Sequence, residues 1–82
     1  KTNQLQKLID GCLKNKRSSQ AKLYDFCFDS MMRVAMRYHN NRDDASSTVN
    51  QSFFKTLKSL SDYDRTKNFN TWLCTIVIRT AI

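Results

Sequence analysis

The residues best suited to binding chemistry lie in a polar connector near the carboxyl end of the chain. This connector, residues 61–69, reads Ser-Asp-Tyr-Asp-Arg-Thr-Lys-Asn-Phe, and it combines two aromatic residues, two aspartates and two cations. Aromatic and polar side chains can hold unpaired nucleobases, while lysine and arginine neutralise the neighbouring phosphates. An ordinary solvated surface loop would have the same composition, so this pattern alone leaves both interpretations open.

Enzymatic chemistry is poorly supported by the residue types present. The chain has one histidine, His39, no glutamate, no glycine-rich phosphate loop and no pairing of a nucleophile with a base. Its three cysteines, Cys12, Cys27 and Cys74, are widely spaced, and none belongs to a Cys-x-x-Cys pair. We therefore expect reduced cysteines that behave as small apolar residues, no metal site or other cofactor, and a cytoplasmic protein that is not an enzyme.

Charge and turn-forming residues limit the class of protein. Fourteen lysines and arginines against seven aspartates give a net charge of +7 over 82 residues. Such an excess favours a polyanionic partner, either nucleic acid or an acidic protein surface, although a merely soluble basic domain would share it. One glycine and no proline argue against an all-β chain. No apolar run is long enough to span a membrane, and there is no signal-peptide pattern.

The first two helices are predicted from apolar residues at helical spacing. The first covers about residues 2–16, and the second begins after Ser18 or Ser19, either of which could cap it, and extends to about Tyr38. The predicted buried face of the second helix consists of Tyr24, Cys27, Phe28, Met31, Val34, Ala35 and Tyr38. Charged residues that could pair recur on its opposite side, at Asp25, Asp29, Arg33 and Arg37.

Two further helices flank the connector. The third begins at Asp43 and Asp44, which are expected to cap it. Their negative charges are also expected to interact favourably with the positive end of the helix dipole. Its apolar stripe is Val49, Phe53, Leu57 and Leu60, and its other face carries Ser47, Asn50, Gln51 and Lys58. The fourth covers residues 72–82, capped by Asn70 or Thr71. The predicted fold class is therefore all-α, a compact three- to four-helix bundle that forms one domain, residues 1–82.

The second half of the chain resembles region 2 of the extracytoplasmic-function sigma factors, a branch of the sigma-70 family of bacterial RNA polymerase. The matching residues are Asp44-Ala45-x-x-x-Val49-x-Gln51-x-Phe53-Phe54, then Tyr63-Asp64, then Phe69-x-Thr71-Trp72-Leu73-x-x-Ile76-x-x-x-x-Ala81-Ile82. The family pattern is similar to D-A-x-D-L-V-Q-E-x-F, then F-D, then F-x-x-W-L-x-x-I-x-x-N-x-A-I. The most specific part is the run from Phe69 to Ile76.

The resemblance implies a sigma region 2 bundle that binds RNA polymerase and recognises and melts the −10 promoter element. One face would dock on the clamp coiled coil of the largest polymerase subunit, and it would include Ser47, Asn50 and Gln51. The connector and fourth helix would capture a flipped base of the non-template single strand. Transferred position by position, the DNA-binding residues would be Tyr63, Asp64, Arg65, Lys67, Asn68, Phe69, Trp72 and Arg79.

This sequence departs from the family pattern on both faces. Ser47 and Gln51 replace acidic residues and Asn50 replaces a glutamine, so attraction to a basic polymerase surface should fall. Arg79 replaces an asparagine, and because arginine prefers guanine or phosphate whereas asparagine suits adenine, the promoter preference should differ.

Several of these residues also have a purely structural interpretation. Trp72 could be a core anchor, and Phe69 could be a hydrophobic staple against Leu73. Arg65 and Lys67 could be solvated loop charges. Tyr63, between polar neighbours, is the aromatic residue best placed for contact.

An alternative function is a helical protein-binding module that docks on an anti-sigma factor, a further candidate partner, or on the polymerase, without melting DNA. We also expect the chain to be a fragment whose region 4 domain lies outside it.

Overall fold

Four α-helices form the fold of this chain, whose computed structural model describes residues 2–82, with side chains from residue 4 onwards. The helices are α1 (Thr2–Leu13), α2 (Arg17–Ala35), α3 (Arg42–Ser59) and α4 (Phe69–Ala81). A short 3-10 turn, Leu60–Asp62, follows α3 directly. The predicted all-α helix bundle is confirmed.

The turn between α1 and α2 brings these two helices into close contact. Asn15 adopts the left-handed conformation, with φ of 60°, and the Lys16 amide donates a hydrogen bond to the Gly11 carbonyl at 3.0 Å. These two features form a Schellman closure of the α1 carboxyl end. Gly11 lies against Ser19 of α2, where a β-carbon on Gly11 would stand 1.9 Å from Ser19 Oγ and 2.5 Å from Ser19 Cβ. The single glycine of the sequence is therefore required by helix–helix approach.

The bounds of α2 differ from the predicted ones at both ends. The helix begins at Arg17, and its cap residue makes no side-chain hydrogen bond, so the prediction of a cap at Ser18 or Ser19 is wrong. It ends at Ala35. Tyr38 lies beyond that end with 45% of its surface exposed, so the prediction that it is buried is also wrong.

The start of α3 is capped by Asn41. Its Oδ1 accepts a hydrogen bond from the Asp44 amide at 2.9 Å. Asp43 and Asp44 lie in the first turn rather than at the cap. Their negative charges still stabilise the positive end of the helix dipole there, as predicted.

The core lies where α2 and α3 contact each other and the flanking helices. Its completely buried apolar side chains are Ile9, Leu23, Met31, Ala35, Ala45, Val49 and Val77. The inner face of α3 also buries three small polar residues, Thr48, Ser52 and Thr56. The Ser52 hydroxyl donates to the Thr48 carbonyl at 2.6 Å and the Thr56 hydroxyl to the Ser52 carbonyl at 2.8 Å. Because these hydroxyls are hydrogen-bonded, burying them costs little free energy. Other helices can therefore pack against two sides of α3.

The cysteines occupy this core as the sequence pattern predicts. Cys12 and Cys27 are buried and Cys74 is half-buried. Burial raises the pKa of the Cys27 thiol to about 12, with Cys12 and Cys74 adding to the rise. Cys27 therefore stays protonated and behaves as a small apolar side chain.

Candidate nucleic-acid interface

An aromatic cluster braces the connector between α3 and α4. Tyr63 is only 8% exposed, and its ring centroid lies 5.3 Å from that of Phe69 and 4.8 Å from that of Trp72. The Tyr63 hydroxyl donates a hydrogen bond to the Lys67 carbonyl at 2.5 Å. The ring thus turns inward, and the expectation that Tyr63 is the aromatic residue free for contact is wrong. Turning inward removes a large apolar ring from water, while the hydroxyl closes the loop over it.

Phe69 and Trp72 share this inward orientation. Phe69 is buried and Trp72 is half-buried, packed against the core. Both residues therefore support the connector from below. These positions match the core interpretation of Trp72, and they leave only the exposed part of its side chain available to a ligand.

Asp64 is used within the loop itself. Its Oδ1 accepts hydrogen bonds from the Thr66 amide at 2.9 Å and the Thr66 hydroxyl at 2.7 Å. These two bonds, the hydroxyl first, lower the pKa of the Asp64 carboxyl. The Lys67 amide donates to the Asp64 carbonyl at 2.9 Å. Asp64 therefore fixes the backbone path that presents Lys67.

Asn68 caps α4. Its Oδ1 accepts from the Thr71 amide at 2.9 Å, so the predicted cap at Asn70 or Thr71 is wrong by at least two residues. The cap uses the carbonyl end of the Asn68 carboxamide, and among the described residues its Nδ2 has no acceptor. Asn68 thus holds the start of α4 and keeps one donor free.

The three cations predicted to contact DNA differ in how available they are. Arg65 donates to Asp10 at 2.6 Å and to Gln6 Oε1 at 2.9 Å, which ties the connector to α1. Lys67 is exposed and has no ion-pair partner among the described residues. Arg79 is also exposed, but ten residues into α4 place it about 15 Å along the helix axis from the loop. Lys67 and Arg65 thus both lie in the connector, whereas Arg79 lies apart from it.

A pocket of about 230 Å³ opens beside the end of the connector. Its lining comes from α1, α2 and the start of α4, and consists of Leu5, Phe26, Cys27, Ser30, Asn68, Phe69, Asn70 and Leu73. Phe26 is 48% exposed. Sequence reasoning missed Phe26, Ser30 and Asn70, although an aromatic residue off the apolar stripe of α2 was a usable signal.

Exposed cations lie on α2 and just beyond its carboxyl end. Lys22, Arg33 and Arg37 are exposed. The predicted pairing of Arg33 and Arg37 with Asp25 and Asp29 is not observed, since the one ion pair among the described side chains joins Arg65 to Asp10. These cations remain available to a polyanion.

The outer face of α3 holds the predicted polymerase contacts. Ser47, Asn50 and Gln51 are all exposed, and Asn50 accepts a hydrogen bond from the Tyr24 hydroxyl at 3.0 Å. One turn on, Phe54 is 61% exposed, with the Lys58 ammonium 5.1 Å from its ring centroid. Sequence reasoning did not single out Phe54, although its position one step off the Val49–Phe53 stripe marks it as outward-facing.

Within residues 2–82 no helix is long and apolar enough to cross a membrane, and no side-chain cluster there could hold a metal ion.

Comparison with known protein families matches residues 23–82 to sigma-70 region 2. The match covers all of the chain except its first 22 residues, and the chain belongs to this family. It is a sigma-factor domain of transcription initiation, with a role in RNA polymerase binding and promoter recognition, and the family is one of non-enzymatic transcription factor domains. Comparisons with curated proteins and with solved structures find no match.

Proposed function

We propose that this domain is of the extracytoplasmic-function type and melts the −10 element by capturing an unpaired base of the non-template strand beside the connector. The observation that carries this proposal is the position of the pocket. Its wall includes Asn68, Phe69 and Asn70, which are the end of the connector and the first turn of α4. A base extruded from the duplex loses a few kcal/mol of stacking and pairing, and a pocket with apolar and polar groups compensates for that loss.

The proposed roles divide between rigid support and direct contact. Tyr63, Phe69 and Trp72 hold the connector in one shape, and Asp64 and Asn68 fix its backbone. Lys67 and Arg65 contact the phosphates, Lys67 directly and Arg65 in competition with Asp10. A preformed loop loses less conformational entropy on binding than a flexible one, so the strand finds the site already built. Arg79 contacts DNA only where the strand continues along α4.

Replacing Lys67 with alanine should weaken binding of a single-stranded oligonucleotide with a −10-like sequence. Each lost phosphate contact should lower the slope of log affinity against log salt by about 0.7 for single strands. Fluorescence anisotropy at several salt concentrations measures this slope. Lys58→Ala, which removes an exposed cation from α3, is the matched control and should leave the slope unchanged. Equal slopes for wild type and Lys67→Ala would remove Lys67 from the interface.

We further propose that the outer face of α3 docks on the clamp coiled coil of the polymerase. Phe54 supplies an exposed apolar centre, and Ser47, Asn50 and Gln51 supply hydrogen-bonding groups around it. Interfaces commonly combine an aromatic anchor with a polar rim in this way. The same face would serve the alternative function, a protein-binding module without DNA activity, so only the DNA measurements separate the two.

Restoring the acidic residues of the family pattern should strengthen this docking. Ser47→Asp combined with Gln51→Glu should increase the affinity for a purified clamp coiled-coil fragment, mainly through a faster association rate, because opposite charges steer the encounter. Phe54→Ala should weaken the complex. Surface plasmon resonance at low and high salt measures both effects. If the acidic pair brings no gain at low salt, the face is not an electrostatic docking surface.

A further inference from the structure

Resting on the proposed function, we propose that α1 restrains DNA binding, because Asp10 and Gln6 hold the Arg65 guanidinium in the place that a DNA phosphate would take. The strand must displace both side chains before it can contact Arg65. Residues 1–22 lie outside the part of the chain that matches sigma-70 region 2, so the restraint comes from a segment that the family match does not include.

The contact engages both arms of the guanidinium. Arg65 Nη1 donates to Gln6 Oε1 at 2.9 Å, and Arg65 Nη2 donates to Asp10 Oδ1 at 2.6 Å. Gln6 and Asp10 are four positions apart in α1, so they lie one turn apart on the same face of the helix. The planar fork of arginine suits two acceptors at once, and it binds the oxygens of a phosphate in the same way. The α1 acceptors therefore occupy the donors that a phosphate would need.

The helix that carries these acceptors is firmly held. Leu8, Ile9 and Cys12 bury its inner face, and Gly11 lies against Ser19 of α2. The connector is fixed as well, by the aromatic cluster and by the hydrogen bonds within the loop. The ion pair therefore joins two fixed segments of the fold.

Both charged side chains remain accessible to a ligand. The Arg65 side chain is 38% exposed and the Asp10 side chain is 55% exposed. An exposed ion pair is weak, because water and salt screen the attraction between its charges. A phosphate can thus reach the guanidinium and displace Asp10 by rotation of the side chains alone. The contact should lower the affinity for DNA severalfold without blocking the site.

The charge distribution gives this carboxylate a distinct role. Residues 1–22 contain six lysines and arginines and a single acidic residue, Asp10. This one carboxylate forms the only ion pair among the described side chains. A domain with a net charge of +7 attracts polyanions of any sequence. Because phosphate contacts carry no sequence information, an internal anion on a phosphate-binding cation lowers that sequence-independent background.

The test is fluorescence anisotropy of the whole chain with two labelled single strands of about 12 nucleotides, one with a −10-like sequence and one of thymidine, at several salt concentrations. Asp10→Asn keeps the size of the side chain and removes its charge. It should raise the affinity for both strands about twofold to fivefold, as expected for the loss of an exposed ion pair. The slope of log affinity against log salt should steepen by about 0.7, because Arg65 gains a full phosphate contact.

Asp25→Asn is the matched control. Asp25 is exposed on α2, beside a groove between α2 and α3 that no connector residue lines. It has no ion-pair partner among the described residues. The substitution adds the same unit of positive charge as Asp10→Asn and leaves Arg65 restrained, so its effect on affinity and slope should be clearly smaller. Both aspartates are exposed, so both variants should fold, which circular dichroism checks.

Two further variants assign the effect to Arg65. In an Arg65→Ala background, Asp10→Asn should bring no gain beyond that of Asp25→Asn, because the cation that it would release is missing. Gln6→Ala removes one acceptor without a change of charge. It should raise the affinity less than Asp10→Asn does.

The possible failures are distinguishable. Equal effects of Asp10→Asn and Asp25→Asn would overturn the restraint and leave the proposed function intact. A loss of affinity in Asp10→Asn would also overturn it, and would show that α1 braces the connector for binding. A gain that persists in full in the Arg65→Ala background would overturn Arg65 as the restrained cation. Absence of binding to either strand at low salt, in wild type and variants alike, would overturn the proposed function and the restraint with it.

Discussion

Tyr63→Ala should lower the free energy of unfolding by about 3–5 kcal/mol, the usual range for removing a buried aromatic ring. The ring is almost completely buried against Phe69 and Trp72, and its loss would leave a cavity under the connector. The hydrogen bond from its hydroxyl to the Lys67 carbonyl would be lost as well. Urea unfolding followed by circular dichroism measures the change. Trp72 fluorescence reports the local loss of packing, because its ring lies 4.8 Å from that of Tyr63.

Tyr63→Phe is the matched control. It keeps the ring and removes only the hydroxyl, so it should cost about 1 kcal/mol. It should also bind single-stranded DNA nearly as well as wild type, because the hydroxyl faces the loop backbone and not the ligand. A Tyr63→Ala variant within about 1 kcal/mol of wild type would show that the ring is not part of the core. A Tyr63→Phe variant that folds normally and has lost DNA affinity would instead place the hydroxyl in the interface.

Gly11→Ala should destabilise the protein by about 1–3 kcal/mol, the usual cost of overpacking. Alanine favours a helix by about 1 kcal/mol over glycine, so propensity alone predicts the opposite sign. The Ser19 hydroxyl can rotate away from the new methyl group, but Ser19 Cβ, at 2.5 Å, cannot. The α1 and α2 helices must then separate. Thermal and urea unfolding measure the loss of stability.

A second substitution isolates the cause. Ser19→Gly removes both atoms that the new methyl group would meet, and the next nearest is Ser19 Cα at 3.9 Å. In that background Gly11→Ala should cost nothing, or stabilise the helix. The four proteins form a double-mutant cycle, in which close contact appears as a coupling energy. Purely additive effects would show that the clash between α1 and α2 is not the reason for Gly11.

The spacing of apolar residues predicted the four helices well, because each helix buries one apolar stripe in the core of the bundle. The starts of α3 and α4 were predicted less well, because their caps are asparagines that lie before the expected residues. Asn41 precedes Asp43, and Asn68 precedes Asn70. Serines, aspartates and asparagines are similarly good caps, so a polar stretch that holds several does not indicate which one is used.

The sequence located the connector but did not predict how its residues pack. The contiguous stretch from Asp64 to Phe69 could be located from its composition, but the direction of the Tyr63 ring depends on Trp72, which lies nine residues further on. The ion pair of Arg65 with Asp10 spans 55 positions. Phe26 reaches the pocket from another helix. Contacts between distant segments leave no local pattern in a single sequence, so they become visible only in the folded structure.

An NMR titration tests the central claim most directly. Backbone amide resonances of the ¹⁵N-labelled chain are followed while a single-stranded oligonucleotide with a −10-like sequence is added at low salt. Capture beside the connector predicts the largest shifts at Lys67, Asn68, Asn70 and Ser30, and little change at Ser47 and Gln51 on the opposite helix face. Shifts confined to α3, or no shifts at saturating oligonucleotide, would contradict it.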